Sequence, residues 1–209
     1  MGSLMGTTIC AVQRNGQIAV AGDGQVTFSE SVIFKSTAKK VKRIFDNRVV
    51  IGFAGSVADA FSLSEKFESM LNKYSGNLMR SAVELAELWR SDKMPRKLEA
   101  MMIVADKENL YIVSGQGDVI EPDGGVCAIG SGGNYALAAA RAMIKETDLS
   151  AEEIAKKALL IASELCVFTN DNITVEVVWN AIDTKRDSKR TWQIYYRSKW
   201  GKKSCCHCT

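Results

Sequence analysis

The chain has 209 residues, of which 46% are hydrophobic and 24% charged, and its formal net charge is +3. This length suits one domain, and the composition is that of a soluble globular protein. The sequence has no run of eighteen apolar residues, so we expect no membrane-spanning segment.

The net charge averages two segments of different composition. Residues 179–209 contain eight Lys or Arg and two Asp, giving +6, and include the single histidine, His207. The other 178 residues carry 19 basic and 22 acidic side chains, giving −3, and no histidine. This excludes a His-based catalytic triad or a His-ligated metal site from that segment. Its three widely separated cysteines predict no disulfide framework and a reducing compartment.

Short strands and then helices are predicted in the first half of the chain. Residues 8–13 and 17–21 flank Asn15-Gly16, a pair typical of a tight hairpin. Residues 39–45 and 48–54 flank a second turn at Asp46-Asn47. The apolar spacing becomes helical over residues 56–74, with Ser56 as the predicted N-cap, and a second helix covers residues 82–90.

The second half repeats this pattern. Residues 98–105, 110–114 and 126–129 are predicted strands, with turns at 115–117 and 123–125. Helices are predicted over 135–145 and 151–168, the second capped by Ser150 with Glu153 three residues later, and residues 173–178 form a last strand. Strands and helices arranged in this way predict an α+β fold built in layers.

The segment Gly6-Thr7-Thr8, just before the first predicted strand, is a candidate nucleophile site. Without a histidine, an acyl-transfer enzyme needs a Ser, Thr or Cys activated by a lysine or an α-amine. Removal of residues 1–6 would give Thr7 a free α-amine, whose ordinary pKa of about 8 suits a general base at neutral pH. The structural alternative is that the two threonines simply begin a strand, since Thr favours strands.

The glycine-rich segment of residues 130–134 opens a predicted helix and superficially resembles a phosphate-binding loop. It lacks the spacing of a dinucleotide fingerprint or a P-loop, and no Lys-Ser/Thr pair follows it. We therefore expect no nucleotide on this chain.

Seven segments together carry a resemblance to a known family. They read TTI at 7–9, AGDGQVT at 21–27, GFAGSVADAF at 52–61, LEA at 98–100, GQGDVIEP at 115–122, GSGGNYAL at 130–137 and TND at 169–171. Their order closely resembles the HslV (ClpQ) family, the peptidase subunits of the bacterial proteasome-like HslUV protease. The resemblance covers residues 7 to about 178.

The resemblance implies a four-layer αββα sandwich, the N-terminal nucleophile (Ntn) hydrolase fold, and a threonine-type endopeptidase that degrades unfolded polypeptides. It implies a dodecamer of two stacked hexameric rings, with the ATP-driven unfoldase HslU as partner and no membrane or nucleic-acid partner. ATP hydrolysis then belongs to the unfoldase. A bacterial cytoplasm is the expected location, with the mitochondrial matrix as the alternative.

The resemblance also implies a catalytic set of five residues. Thr7 is the nucleophile, and Lys40 lowers the pKa of its hydroxyl and amine. Asp23 holds the lysine, Gly55 donates its N–H to the oxyanion, and Ser131 relays a proton near the amine.

Each of these residues also has an ordinary structural explanation. Lys40 lies beside Lys39 and could be a surface lysine, and Asp23 precedes a glycine as turn residues often do. Gly55 could simply precede a helix, and Ser131 could cap the helix that follows it.

A sodium ion, held by main-chain carbonyls of Ser163, Cys166 and Thr169, is implied by the same resemblance. Because carbonyls would bind the ion, a serine at 163 in place of the family's usual glycine need not abolish the site. Cys166 is also expected to be a buried, apolar thiol.

The predicted organisation is a leader at 1–6, a peptidase domain at 7–178 and a basic extension at 179–209. Many relatives lose only the initiator Met, and some with short leaders use an N-terminal serine, although Ser3 is not at that position without further trimming. The extension is expected to be disordered or to come from a shifted reading frame. Its Cys205-Cys206-His207-Cys208 run lacks the ligand spacing of zinc sites.

Two other functions are compatible with parts of the sequence. One is another Ntn hydrolase that cleaves small amides. The second is an inactive ring-forming or nucleic-acid-binding protein that acts through its extension, where basic residues alternate with aromatic ones and could contact RNA, DNA or an anionic membrane.

Overall fold

The computed structural model describes residues 4–5, 7–28, 31–90 and 100–179. The strands in these ranges are β1 (Leu4–Met5), β2 (Thr8–Arg14), β3 (Gln17–Gly22), β4 (Val26–Phe28), β5 (Val32–Lys35), β6 (Val41–Ile44), β7 (Val49–Gly55), β8 (Ala100–Ala105), β9 (Leu110–Ser114), β10 (Val119–Ile120), β11 (Val126–Gly130) and β12 (Thr174–Trp179). The helices are α1 (Val57–Lys73), α2 (Leu78–Arg90), α3 (Gly133–Glu146) and α4 (Ala151–Leu165).

Two antiparallel sheets stack face to face, and each is covered by a pair of helices. The first sheet has the order β11-β2-β3-β12 and carries α3 and α4 on its outer face. The second has the order β10-β9-β8-β7-β6 and carries α1 and α2. This arrangement confirms the predicted four-layer αββα sandwich. A third, small sheet has the order β1-β4-β5.

Three clusters of buried apolar side chains fill the three spaces between the layers. Ile9, Val20 and Ile103 belong to the cluster between the two sheets. Phe67 lies in the cluster between the second sheet and its helices, and Leu159 lies in the cluster between the first sheet and its helices. The core is therefore divided by the sheets, as expected where layers of secondary structure bury one face against another.

Strand β2 is buried on both faces. Ile9 and Ala11 point to the other sheet, whereas Cys10 and Val12 point to the helices. The period of two in a strand explains this division, and burial of both faces explains the continuous apolar sequence. Burial also raises the pKa of the Cys10 thiol to about 12. The first residues of this buried strand lie at one end of the layered core.

The predicted hairpins and most predicted helices are confirmed. Asn15 and Gly16 have φ of 51° and 73°, as a two-residue type I′ turn requires, and Arg14 pairs with Gln17 across it. Strands β6 and β7 form the second hairpin. The Ser150–Glu153 capping box at the start of α4 is present, with both reciprocal hydrogen bonds.

Several element boundaries differ from the prediction. Helix α2 begins four residues earlier, because the Asn77 side chain accepts the N–H of Arg80 at 2.9 Å and so satisfies a free donor of the first turn. Ser56 is at the N-cap of α1, but its side chain makes no capping bond. Helix α4 ends at Leu165, three residues before its predicted end, which leaves residues 166–173 as a loop.

Strands β1, β4, β5 and β10 were absent from the sequence prediction. They are two to four residues long, too short for a clear alternation pattern. Within the leader, Leu4–Met5 forms β1 against β4. The extension predicted at 179–209 lies outside the described residues, apart from Trp179 at the end of β12. Among the described helices, none has the length and apolar character needed to cross a bilayer.

Candidate active site

Thr7 lies immediately before β2, at the end of the layered core, and is 6% exposed. Its carbonyl oxygen accepts the backbone N–H of Ser131 at 3.0 Å. The carbonyl of Thr8 accepts the N–H of Asp23 at 3.2 Å, and Thr8 pairs with Gly130 across β2 and β11. Backbone from two other parts of the chain, residues 130–131 and Asp23, therefore holds the segment that carries the predicted nucleophile.

Asp23, in the turn after β3, is completely buried. Its Oδ1 accepts the backbone N–H of Thr8 and the Nζ of Lys40, both at 2.8 Å. Its Oδ2 accepts the backbone N–H of Gln25 at 2.9 Å and that of Asn170 at 3.4 Å. These four donors supply what a carboxylate without access to water needs to remain charged.

Lys40 lies between β5 and β6, and its side chain is 7% exposed. Its Nζ donates to Asp23 Oδ1 and also to the backbone carbonyl of Gln25. Burial lowers the pKa of Lys40, and the neighbouring Asp23 carboxylate opposes that shift. The adjacent Lys39 is exposed, so the buried lysine is the one that the family resemblance assigned.

Gly55 is the last residue of β7 and pairs with Ala100. Its φ of 133° lies in a region that residues with a Cβ rarely adopt. The strand end beside it is close to Thr7, because a Cβ built on Gly130 would lie 3.2 Å from Ala54 Cβ and 1.8 Å from the Thr7 carbonyl oxygen. Gly55 ends β7 and lies directly before Ser56, the N-cap of α1, so it also precedes a helix, as its structural explanation expected.

Ser131 is exposed and contacts the site through its backbone N–H. The suggestion that it caps α3 is wrong, because the N-cap residue is Gly132 and no side-chain capping bond forms. The N–H of Gly132 instead donates to Thr8 Oγ1 at 2.9 Å. A Cβ at Gly132 would lie 2.7 Å or less from the hydroxyls of Thr8 and Thr169, so this close approach requires glycine.

Thr8 and Asn170 are site residues that the sequence reasoning did not select. The Thr8 hydroxyl is hydrogen-bonded to that of Thr169 at 2.7 Å, which joins the start of β2 to the loop after α4. Asn170 joins the same loop to Asp23 and its neighbours. The TT pair and the TND motif were the available signals, since both residues lie inside them.

Ser163, Cys166 and Thr169 lie at the end of α4 and in the loop that follows. The last four carbonyls of a helix lack intrahelical donors and lie at the negative end of its dipole, and Ser163 is among them. The Cys166 carbonyl accepts the N–H of Thr169 at 3.0 Å and retains a second lone pair. Such hard oxygen donors fit an alkali cation. Cys166 is buried, as expected.

Comparison with known proteins assigns the chain to a family. The family model described as proteasome subunit matches residues 4–178, so the chain belongs to the proteasome family. Among curated relatives, the ATP-dependent protease subunit HslV of Listeria innocua is 65% identical over 175 residues, covering 83% of this chain and 98% of its own length. The HslV subunit of Caldanaerobacter subterraneus is 61% identical over 173 residues, with the same two coverages.

Comparison with solved structures supports the same family and fold. The crystal structure of HslV from Trypanosoma brucei superposes with a TM-score of 0.79 at 48% identity, covering 83% of this chain and 99% of that one. A protein titled Thiobacillus denitrificans BPH has a TM-score of 0.63 at 20% identity, with 82% of this chain and 97% of its own covered, and shows the shared fold alone. The family match ends at residue 178, and none of these findings supports the alternative function through the extension.

Substitution of Gly130 tests whether peptidase activity depends on the position of the Thr7 backbone, because a Cβ at residue 130 would displace the Thr7 carbonyl. We expect Gly130→Ala to lower peptidase activity about 100-fold, since a displacement of about 1 Å at a reacting group has effects of that size. The measurement is turnover of a fluorogenic peptide.

The matched control is Gly124→Ala, because Gly124 also has a positive φ (64°) but no atom within 4 Å of an added Cβ. Equal activities of the two variants would contradict the placement of Gly130 against Thr7.

Proposed function

We propose that this chain is the threonine-type endopeptidase subunit of an ATP-dependent protease, with Thr7 as nucleophile once residues 1–6 are removed. The observation that carries the proposal is the buried ion pair between Asp23 and Lys40. The carboxylate oxygen of Asp23 that binds Lys40 also accepts the N–H of Thr8, the residue after Thr7. The 65% identity to a protein named as an ATP-dependent protease subunit supports the same activity.

The proposed reaction passes through an acyl-enzyme. The freed α-amine of Thr7 takes the proton of its own hydroxyl as the oxygen attacks the scissile carbonyl. The Gly55 N–H stabilises the oxyanion, a contribution of about 3–4 kcal/mol in related chemistries. Collapse breaks the C–N bond, the leaving amine receives the proton, and an ester to Thr7 remains. Water, activated by the same amine, then releases the second product.

Lys40 and Asp23 support this reaction through charge and position. An ammonium group near Thr7 favours the neutral amine and the developing alkoxide, since a nearby positive charge lowers the pKa of both groups. Asp23 holds that ammonium by a hydrogen bond of 2.8 Å. Ser131 is proposed to relay protons near the amine, a role supported by its backbone contact with Thr7.

The leader must be removed for this mechanism, because the nitrogen of Thr7 is an amide while Gly6 is attached to it. In the described part of the leader, Leu4 pairs with Phe28 and Met5 with Thr27, so these two residues lie antiparallel to β4.

Thr7→Ala is expected to abolish peptide and casein turnover, because it removes the attacking hydroxyl. Thr7→Ser is the matched control, since it retains a hydroxyl and an α-amine on one residue and should keep measurable activity. Residual turnover of Thr7→Ala above a few per cent would indicate another nucleophile, with Ser131 tested first.

Intact-mass analysis of the active wild-type protein should give a chain that begins at Thr7, and an active chain that begins at Met1 or Gly2 would refute the mechanism.

The lowered pKa of Lys40 predicts a pH dependence. A lysine with a lowered pKa loses its charge as pH rises through that value, so kcat should begin to fall below pH 10.5, the ordinary value. Between the lowered pKa of folded Lys40 and the ordinary pKa of 10.5, the folded state binds this proton less tightly than the unfolded state. The free energy of unfolding therefore does not fall when Lys40 loses its proton in this range.

The measurement is kcat against pH, with circular dichroism at each pH. Lys39→Met, which changes the exposed neighbour, should leave the alkaline fall unmoved. A kcat that stays constant to pH 10.5 would contradict the combination of a lowered Lys40 pKa and a catalytic need for the Lys40 charge.

A sodium ion held by the carbonyls of Ser163, Cys166 and Thr169 is also proposed, where it would neutralise the carbonyl dipoles at the end of α4. We expect replacement of sodium chloride by choline chloride at constant ionic strength to lower kcat reversibly. Unchanged activity in sodium-free buffer would exclude a functional ion.

The proposed assembly is a dodecamer of two hexameric rings that receives unfolded polypeptides from the ATPase HslU, in a bacterial cytoplasm. Self-association is supported by exposed apolar side chains on β5, where Val32, Ile33 and Phe34 are 56%, 59% and 69% exposed. Exposed large apolar side chains concentrated on one strand are typical of an interface.

A further inference from the structure

We infer that Asn170 is a positioning residue for Lys40: its side-chain amide ties the segment that leads into the lysine to the turn that carries Asp23. This inference rests on the proposed function, since it concerns the same catalytic lysine. It adds a residue to which neither the sequence reasoning nor the family resemblance gave a role.

The amide of Asn170 joins two backbone segments that are far apart in sequence. Its Oδ1 accepts the N–H of Gly24 at 3.0 Å, and its Nδ2 donates to the carbonyl of Ser36 at 2.8 Å. The backbone N–H of Asn170 also donates to Asp23 Oδ2 at 3.4 Å. One residue therefore contacts the carboxylate and both segments beside it.

The segment between β5 and β6, residues 36–40, has few other restraints. It has no regular secondary structure, and Ser36, Thr37 and Lys39 are exposed. The N–H of Ala38 donates to the Gly24 carbonyl at 2.9 Å, and the Lys40 carbonyl accepts the N–H of Phe53 at 3.2 Å. Since so few hydrogen bonds fix this segment, the loss of one of them should shift the backbone of Lys40 and with it the position of the ammonium group.

The approach of the two segments is close. A Cβ on Gly24 would lie 2.3 Å from the Ser36 carbonyl oxygen, so the Asp23 turn and the lysine segment are in direct contact. The Asn170 amide spans this contact from one side. Only a carboxamide provides both an acceptor for Gly24 and a donor for Ser36 in one short planar group, because an ionised carboxylate has no donor and an alkyl side chain has neither.

Displacement of Lys40 should affect the chemical step more than substrate binding. The hydrogen-bond partners of Asn170 are Asp23, Gly24, Ser36 and Asn172. A change that acts through Lys40 removes stabilisation present only in the transition state, which lowers kcat and leaves KM unchanged. A general loss of folding would instead lower the number of active subunits.

The experiment compares Asn170→Ala, Asn170→Asp and the control Asn172→Ala in the full chain. Asn172 is exposed, lies in the same loop and contributes only its backbone N–H to Asn170. Turnover of a fluorogenic peptide is divided by the number of subunits labelled by an irreversible, threonine-directed peptide electrophile, so that unfolded protein is not counted. Asn170→Asp keeps the size of the side chain and the acceptor for Gly24, and it decides the outcome if Asn170→Ala fails to fold.

We expect both Asn170 variants to lose about ten-fold in kcat per labelled subunit, with KM within two-fold of wild type and Asn172→Ala unchanged. About ten-fold is the rate effect expected from losing the free energy of roughly one hydrogen bond. A wild-type kcat per labelled subunit in Asn170→Asp, or a change confined to KM, would overturn the inference. Thr7→Ala is assayed beside them: if it is active, the proposed function fails, whereas inactive Thr7→Ala with fully active Asn170 variants refutes only the role of Asn170.

Discussion

The buried Asp23 carboxylate is the interaction on which the arrangement of the site depends. A charge with no exposure to water is tolerated only if it is paired and hydrogen-bonded, and this one receives four donors. Those donors come from the start of β2, the turn before β4, the segment before β6 and the loop after α4. The electrostatic requirement of one carboxylate thus brings four separate parts of the chain together, among them the segment with Lys40 and the segment with the proposed nucleophile.

The layered fold explains why these parts meet at one place. Two sheets packed face to face leave their strand ends at the edge of the core, where the chain is free to turn and carry polar groups. Thr7 precedes a central strand, Asp23 follows its neighbour in the same sheet, and Gly55 ends a strand of the facing sheet. Loops from both sheets therefore surround the space between them. The loop that follows α4, a helix of the outer layer, places Thr169 and Asn170 at the same site.

The chemistry also suits a peptidase body without histidine. Acyl transfer needs a base near the nucleophile, and an N-terminal threonine carries its own once the preceding residues are gone. A buried lysine supplies positive charge at a fixed position, and burial itself lowers the pKa of that lysine. The absence of histidine from residues 1–178 is thus consistent with the geometry, in which Asp23 Oδ1 accepts both the Nζ of Lys40 and the N–H of Thr8, the residue after Thr7.

The sequence by itself determined the class of fold, the main strands and helices and the identity of the catalytic candidates. Hydrophobic period and turn residues are local properties, so the Asn15-Gly16 hairpin and the Ser150 cap could be predicted from neighbouring residues alone. The motif order was specific enough to select Lys40 over Lys39, although the two residues have the same local composition.

Only the tertiary structure decided which groups touch. The role of Gly132 depends on a contact between residues far apart in the chain, since its N–H donates to Thr8 Oγ1. Thr8 and Asn170 are the clearest cases, because each is an ordinary polar residue in a strand or a loop until the fold places it against Thr169, Asp23 or Ser36. A hydrogen bond between residues more than 100 positions apart has no local signal, and it exists only when the layers have packed.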